Sequence, residues 1–121
     1  MKRALFVSDV HIKALHDPKC EAFLRFLQRC REIGVDDLFL VGDIFDLWIA
    51  DRDFFIANYS RVIEGLKALH DAGTRVHYFE GNHDLDLDVF WREQLGFHVY
   101  DRAEFFEIGE YTVRVEHGDQ M

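Results

Sequence analysis

An α/β fold with a parallel sheet is predicted by three observations. Apolar runs of strand length occur at Ala4–Ser8, Asp37–Val41 and Arg75–Glu80, and the first two are nearly continuous in apolar character, as in strands buried on both faces. Segments with apolar residues at helical spacing separate and follow them. The resulting order, β-α-β-α-β-α, is that of layered α/β proteins.

Each element has a local cause. After the first strand, Asp17 and Pro18 read as an N-cap and the first helical position. Phe23, Phe26, Leu27 and Cys30 continue at helical spacing, and Gly34 supplies a stop. After the second strand a helix is predicted from about Asp53 to Asp71. Its stripe is Phe55, Tyr59, Val62, Leu66 and Leu69, and Gly73 ends it. After the third strand a shorter helix spans Leu87 to Leu95, before Gly96. The tail changes character. Phe105–Ile108 and Tyr111–Val115 flank Gly109-Glu110, and a two-residue loop with glycine first suits a type II′ hairpin.

Composition narrows the class. The chain has 121 residues, 49% hydrophobic and 31% charged, which is too apolar for a disordered chain; residues 1–121 are read as one domain. No apolar stretch approaches the roughly 18 residues of a membrane span. At the N-terminus, Asp9 and His11 interrupt the apolar run too early for a signal peptide. The net charge of −9 repels phosphate backbones, so no nucleic-acid partner is expected. Cys20 and Cys30 share one helix and read as core thiols of a reducing cytoplasm.

The chemistry gathers at strand ends. Asp9-Val10-His11 follows the first strand and Gly42-Asp43-Ile44-Phe45-Asp46 the second. Gly81-Asn82-His83-Asp84 follows the third, and His117-Gly118-Asp119 the hairpin. In open α/β sheets, ligands bind outside the carboxyl ends of the strands. Carboxylate, amide and imidazole donors together suit borderline divalent ions such as Mn²⁺, Fe²⁺ or Zn²⁺. Two such ions about 3.5–4 Å apart activate water and clamp a phosphoryl group.

These four motifs, in this order, resemble those of the calcineurin-like metallophosphoesterases. The resemblance implies a layered α/β/β/α sandwich and a centre of two divalent metal ions, with Mn²⁺ the first choice. Asp9 and His11 would hold one ion, Asp43 would bridge both, and Asn82 and His117 would belong to the second. His83 would sit beside the scissile phosphate, stabilising charge or protonating the leaving group. Asp46 and Asp84 would orient their neighbours, although helix capping explains either about as well. The stretch Leu40–Ile49, with Asp51 soon after, is similar to the UDP-2,3-diacylglucosamine pyrophosphatases of lipid A synthesis. That narrower resemblance implies a nucleotide-lipid substrate split into UMP and a lipid phosphate, and a peripheral contact with the inner membrane face. The best-known branch of that family carries Arg where this chain has His83.

The family's further Gly-His-x-His motif occurs nowhere in the chain, so the sequence is read as the N-terminal half of such a domain, cut after the His117-Gly118-Asp119 motif. Uncovered apolar sheet faces would favour a homo-oligomer. The alternatives are a generic phosphodiesterase or phosphatase, and a non-catalytic metal-binding or scaffold fragment. Trp48, next to the metal loop and off the regular elements, is taken as a substrate contact, whereas Phe55 and Trp91 are taken as packing. His16, His70, His77 and His98 match no motif and are read as surface or strand residues.

Overall fold

A computed structural model describes residues 3–13, 17–46, 48–49, 52–81, 84–85 and 87–116, with positions 49, 84, 85 and 88 described by backbone alone. Its centre is a four-stranded parallel sheet in the order β1-β2-β4-β6. The strands are β1 (Ala4–Val7), β2 (Asp37–Val41), β4 (Arg75–Phe79) and β6 (His98–Tyr100). Because all four run parallel, their carboxyl ends open on one edge.

Alternation along β2 and β4 divides the core into two layers. Leu38, Leu40, Val76 and Tyr78 face the helices, joining Cys20, Phe23, Leu27 and Cys30 of α1 (Pro18–Ile33) and Val62, Leu66 and Leu69 of α3 (Ser60–Asp71). Phe39 and Phe79 face the opposite way and are covered by Phe106, Val113 and Val115 of an antiparallel hairpin, β7 (Glu104–Ile108) and β8 (Tyr111–Val115). Helices, parallel sheet and hairpin therefore form three layers, consistent with the expected α/β class.

The local signals act as predicted at both helix ends and at the hairpin turn. The Asp17 carboxylate accepts a hydrogen bond from the Lys19 amide at 2.9 Å, Pro18 occupies the first turn, and Gly34 closes α1 with φ 77°. Cys20 and Cys30 are buried free thiols, and burial raises the pKa of both. Gly109 has φ 63° while Glu110 does not enter the positive-φ region, which is the II′ pattern rather than I′.

Several elements differ from expectation, among them β6, which no strand signal announced. The long second helix is interrupted at Tyr59, with φ −115° and ψ 23°, giving α2 (Asp53–Asn58) and α3. Hydrogen bonds from Tyr59 N to Phe55 O and from Ile63 N to Tyr59 O continue across the break. The Tyr59 ring packs on Phe45 with centroids 4.4 Å apart, so the break occurs where a side chain is drawn into the core. The third helix is a single π-helical turn at Asp88–Arg92. Two-residue strands β3 (Trp48–Ile49) and β5 (Asp84–Leu85), too short to leave a periodic signal, pair in parallel and tie the loop after β2 to the loop after β4.

Candidate metal centre

The loops leaving β1 and β2 run side by side beyond the sheet. Asp9 N donates to Gly42 O at 3.1 Å, His11 N to Asp43 O at 3.0 Å, and Ile12 N to Ile44 O at 3.0 Å; Asp46 N returns a bond to Ile12 O at 2.8 Å. This zipper places Asp9, His11 and Asp43 together. One ligand atom from each lies within 4.8 Å of the others. Asp43 is buried at 4% exposure, whereas Asp9 is exposed and His11 half-buried.

The backbone identifies the same three residues independently. Among the described residues, Asp9 (φ 54°), His11 (φ 55°) and Asp43 (φ 52°) are the only non-glycine positions with positive φ. That conformation costs an L-residue on the order of 1–2 kcal/mol. Such strain persists where the surrounding structure over-determines it, and it clusters at functional sites. Here it turns three donors inward at adjacent strand exits. Gly42, with φ 79° just before Asp43, carries part of the same turn without that cost.

The imidazole of His11 lies between two carboxylates. Its Nε2 is 3.7 Å from Asp9 Oδ1 and its Nδ1 is 4.0 Å from Asp46 Oδ1. Two carboxylates and an imidazole nitrogen converging within one coordination sphere are a donor set that suits a borderline divalent cation. The residues present therefore fit a metal ion, and Asp46 stands on the far side of the ring, where it can orient it.

The third strand exit reaches the same place through its backbone. Gly81, two residues past the end of β4, lies against Asp43. Asn82, His83 and His117 lie outside the described residues, and Asp84 is described by its backbone, opposite Trp48 in the β3–β5 pair.

The expected substrate contact at Trp48 is corrected. Trp48 belongs to β3, has 0% exposure and packs among Phe45, Phe55, Tyr59, Phe90 and Trp91, with ring centroids 5.1–6.3 Å apart. Placed next to polar motif residues, it reads from sequence as a loop residue, but the short β3–β5 pairing turns it inward. Phe55 and Trp91 are buried, as expected.

At the opposite, amino-terminal end of the sheet lies a polar cluster that no motif announces. Arg75 makes a two-pronged contact with Asp37, Nε to Oδ1 at 2.7 Å and Nη2 to Oδ2 at 2.9 Å. His77, buried in β4, has Nε2 3.0 Å from the same Asp37 Oδ1 and Nδ1 3.1 Å from the Tyr100 hydroxyl. Since a carboxylate only accepts, Nε2–H donates to Asp37, and Nδ1 accepts from Tyr100. The Arg75 guanidinium holds the Asp37 carboxyl down at about 2, and burial lowers the pKa of His77. Spanning three strands, the cluster fastens the base of the sheet.

Comparison with known proteins agrees with the strand-exit motifs. The profile of the calcineurin-like phosphoesterases matches residues 2–119. A UDP-2,3-diacylglucosamine hydrolase of Proteus mirabilis is 32% identical over 120 residues, covering 97% of this chain and 48% of the relative. The proteins of the same name from Chromohalobacter salexigens and Porphyromonas gingivalis are 33% and 30% identical, and the chain covers 47% and 45% of their lengths. The chain thus spans about half the length of the curated relatives it matches. With the profile aligned along nearly the whole chain, and with donors from adjacent strand exits converging at the sheet's carboxyl edge, this protein belongs to the calcineurin-like phosphoesterase family.

Proposed function

We propose that this chain carries the N-terminal metal-binding part of a single catalytic domain that hydrolyses a phosphoric anhydride, with UDP-2,3-diacylglucosamine as the substrate class, yielding UMP and a lipid phosphate. The observation that carries the reading is the convergence of Asp9, His11 and Asp43 within 4.8 Å, on backbone held at positive φ. Relatives named for hydrolysis of that lipid support the choice of substrate.

In this reading two divalent ions, Mn²⁺ first and Fe²⁺ or Zn²⁺ otherwise, supply Lewis acidity that activates water and neutralises phosphoryl oxygens. Asp9 and His11 would hold one of them, and the Asp43 carboxylate would serve both. Asn82 and His117 would hold part of the second position, and a Gly-His-x-His segment of the kind the family carries would supply the remaining donors. Asp46, 4.0 Å from His11 Nδ1, would orient the ring and leave Nε2, on the Asp9 side, to hold the cation. His83 hands a proton to the departing phosphate oxygen, with Asp84 orienting it. No helix among the described residues is long and apolar enough to cross a membrane. A cytoplasmic enzyme meeting its lipid at the inner membrane face through a peripheral contact fits the proposed substrate.

The test supplies the full domain with Mn²⁺ and the lipid nucleotide and follows UMP release. Release that is abolished by Asp43→Ala, together with Mn²⁺ binding, supports the reading. His83→Ala is expected to keep Mn²⁺ binding and slow turnover by about 10²–10⁴-fold. Hydrolysis of simple aryl phosphodiesters alone would move the assignment to a generic phosphodiesterase. Equal loss of metal in both variants would overturn the assigned roles.

A further inference from the structure

We propose that Gly81 is a positioning residue for the metal centre, required because its bare α-carbon leaves room for Asp43. The inference rests on the reading of Asp9, His11 and Asp43 as cation ligands. A methyl group on the Gly81 α-carbon would lie 2.6 Å from Asp43 Oδ1, 2.9 Å from its Cγ and 2.8 Å from its backbone nitrogen. Carbon and oxygen or nitrogen atoms in ordinary contact stay well beyond such distances, so something must move.

A flexible carboxylate alone could swing aside, but the 2.8 Å contact is with the backbone. That backbone is held: Asp43 has φ 52°, and its carbonyl accepts the 3.0 Å bond from His11 N. Pushing Asp43 therefore also disturbs the loop that carries His11. Gly81 differs from the other glycines in what it is for. Gly34, Gly73 and Gly109 have positive φ and nothing within 4 Å of an added methyl, so a conformation requires them. Gly81 has no positive φ, so contact rather than conformation requires it. In effect the exit of β4 sets how far the Asp43 carboxylate stands from Asp9 and His11.

The experiment measures Mn²⁺ affinity by calorimetry and the visible absorption of the Co²⁺-loaded protein, for the wild type, Gly81→Ala and Gly73→Ala. Gly81→Ala is expected to weaken Mn²⁺ binding by about 10–100-fold and to alter the Co²⁺ bands. Gly73→Ala should lower the melting temperature through its φ of 106° and leave both metal readouts unchanged. Wild-type affinity and an unchanged Co²⁺ spectrum in Gly81→Ala would overturn the inference while leaving the metal reading intact. A wild-type protein that binds neither ion would overturn that reading and the inference with it. Should Gly81→Ala be too unstable to titrate, the double variant Gly81→Ala/Asp43→Gly decides. Removing the carboxylate and freeing the backbone at position 43 should restore folding, and a double variant as unstable as the single one would refute a wedge acting on Asp43.

Discussion

Backbone strain at the metal cluster makes a stability prediction opposite in sign to the ordinary rule. His11 sits at φ 55°. Replacing it with alanine removes the imidazole and its contacts with Asp9 and Asp46 but keeps a Cβ in the left-handed region. Replacing it with glycine removes the same contacts and also the Cβ. The difference between the two variants therefore isolates the backbone term. Relief of left-handed strain is worth about 1–2 kcal/mol. The extra chain entropy of glycine opposes it by about 0.5–1 kcal/mol. At the midpoints of those ranges His11→Gly should thus be more stable than His11→Ala by about 0.75 kcal/mol, a rise of about 0.75 M in the urea midpoint for a slope of about 1 kcal/mol/M. The assay is urea unfolding in metal-free buffer, followed by far-UV circular dichroism. Ala68→Gly inside α3 is the control, and there glycine should cost about 1 kcal/mol. Neither His11 variant should bind Mn²⁺. If His11→Gly is less stable than His11→Ala by as much as the control pair differs, the left-handed conformation is not a strained feature of the folded chain, and its use as a marker of the site fails.

Three further outcomes are expected. Trp48→Ala should destabilise the protein by about 3–5 kcal/mol, because it empties the centre of an aromatic cluster, and Trp48→Phe should cost much less; a Trp48→Ala protein with wild-type unfolding would contradict the packing role. Asp37, whose carboxyl falls from 3.8 to about 2 on folding, should contribute about 2 kcal/mol that is fully present above about pH 5 and lost as the pH falls toward 2. His77, buried with a lowered pKa, should add a separate loss that begins as the pH drops below 6.5, since the unfolded chain then takes up the proton first; Asp37→Asn should remove the lower window in urea titrations across pH, and its persistence would reject the assignment. Finally, Phe6 on β1 is 48% exposed beside Phe39, and Phe105 and Tyr111 are exposed on the hairpin, so self-association is expected; sedimentation should show oligomers that Phe6→Lys shifts toward monomer, and a compact wild-type monomer would count against it.

Much of this was legible residue by residue. Asp17, Pro18 and Gly34 delimit α1 because capping depends on atoms a few positions apart. Gly109-Glu110 specifies its hairpin turn for the same reason. The parallel order of β1, β2 and β4 follows from alternation with helices, and it suffices to send Asp9, His11 and Asp43 to one edge. Where the reading failed, non-local packing decided. Tyr59 continues a helical stripe in sequence, yet its ring is engaged by Phe45 and the helix breaks there. Trp48 lies among polar motif residues, yet a two-residue pairing with β5 carries it into the core.

The sequence by itself determined the donors, their order and the class of chemistry they suit, because residue type and local spacing are written in it directly. Only the tertiary structure decided how close the donors come, which backbones bend into the left-handed region to bring them there, and why Gly81 must lack a side chain. Those quantities depend on the register between loops far apart in the chain, where a methyl group at position 81 meets a carboxylate at position 43. No pattern along one segment encodes that distance.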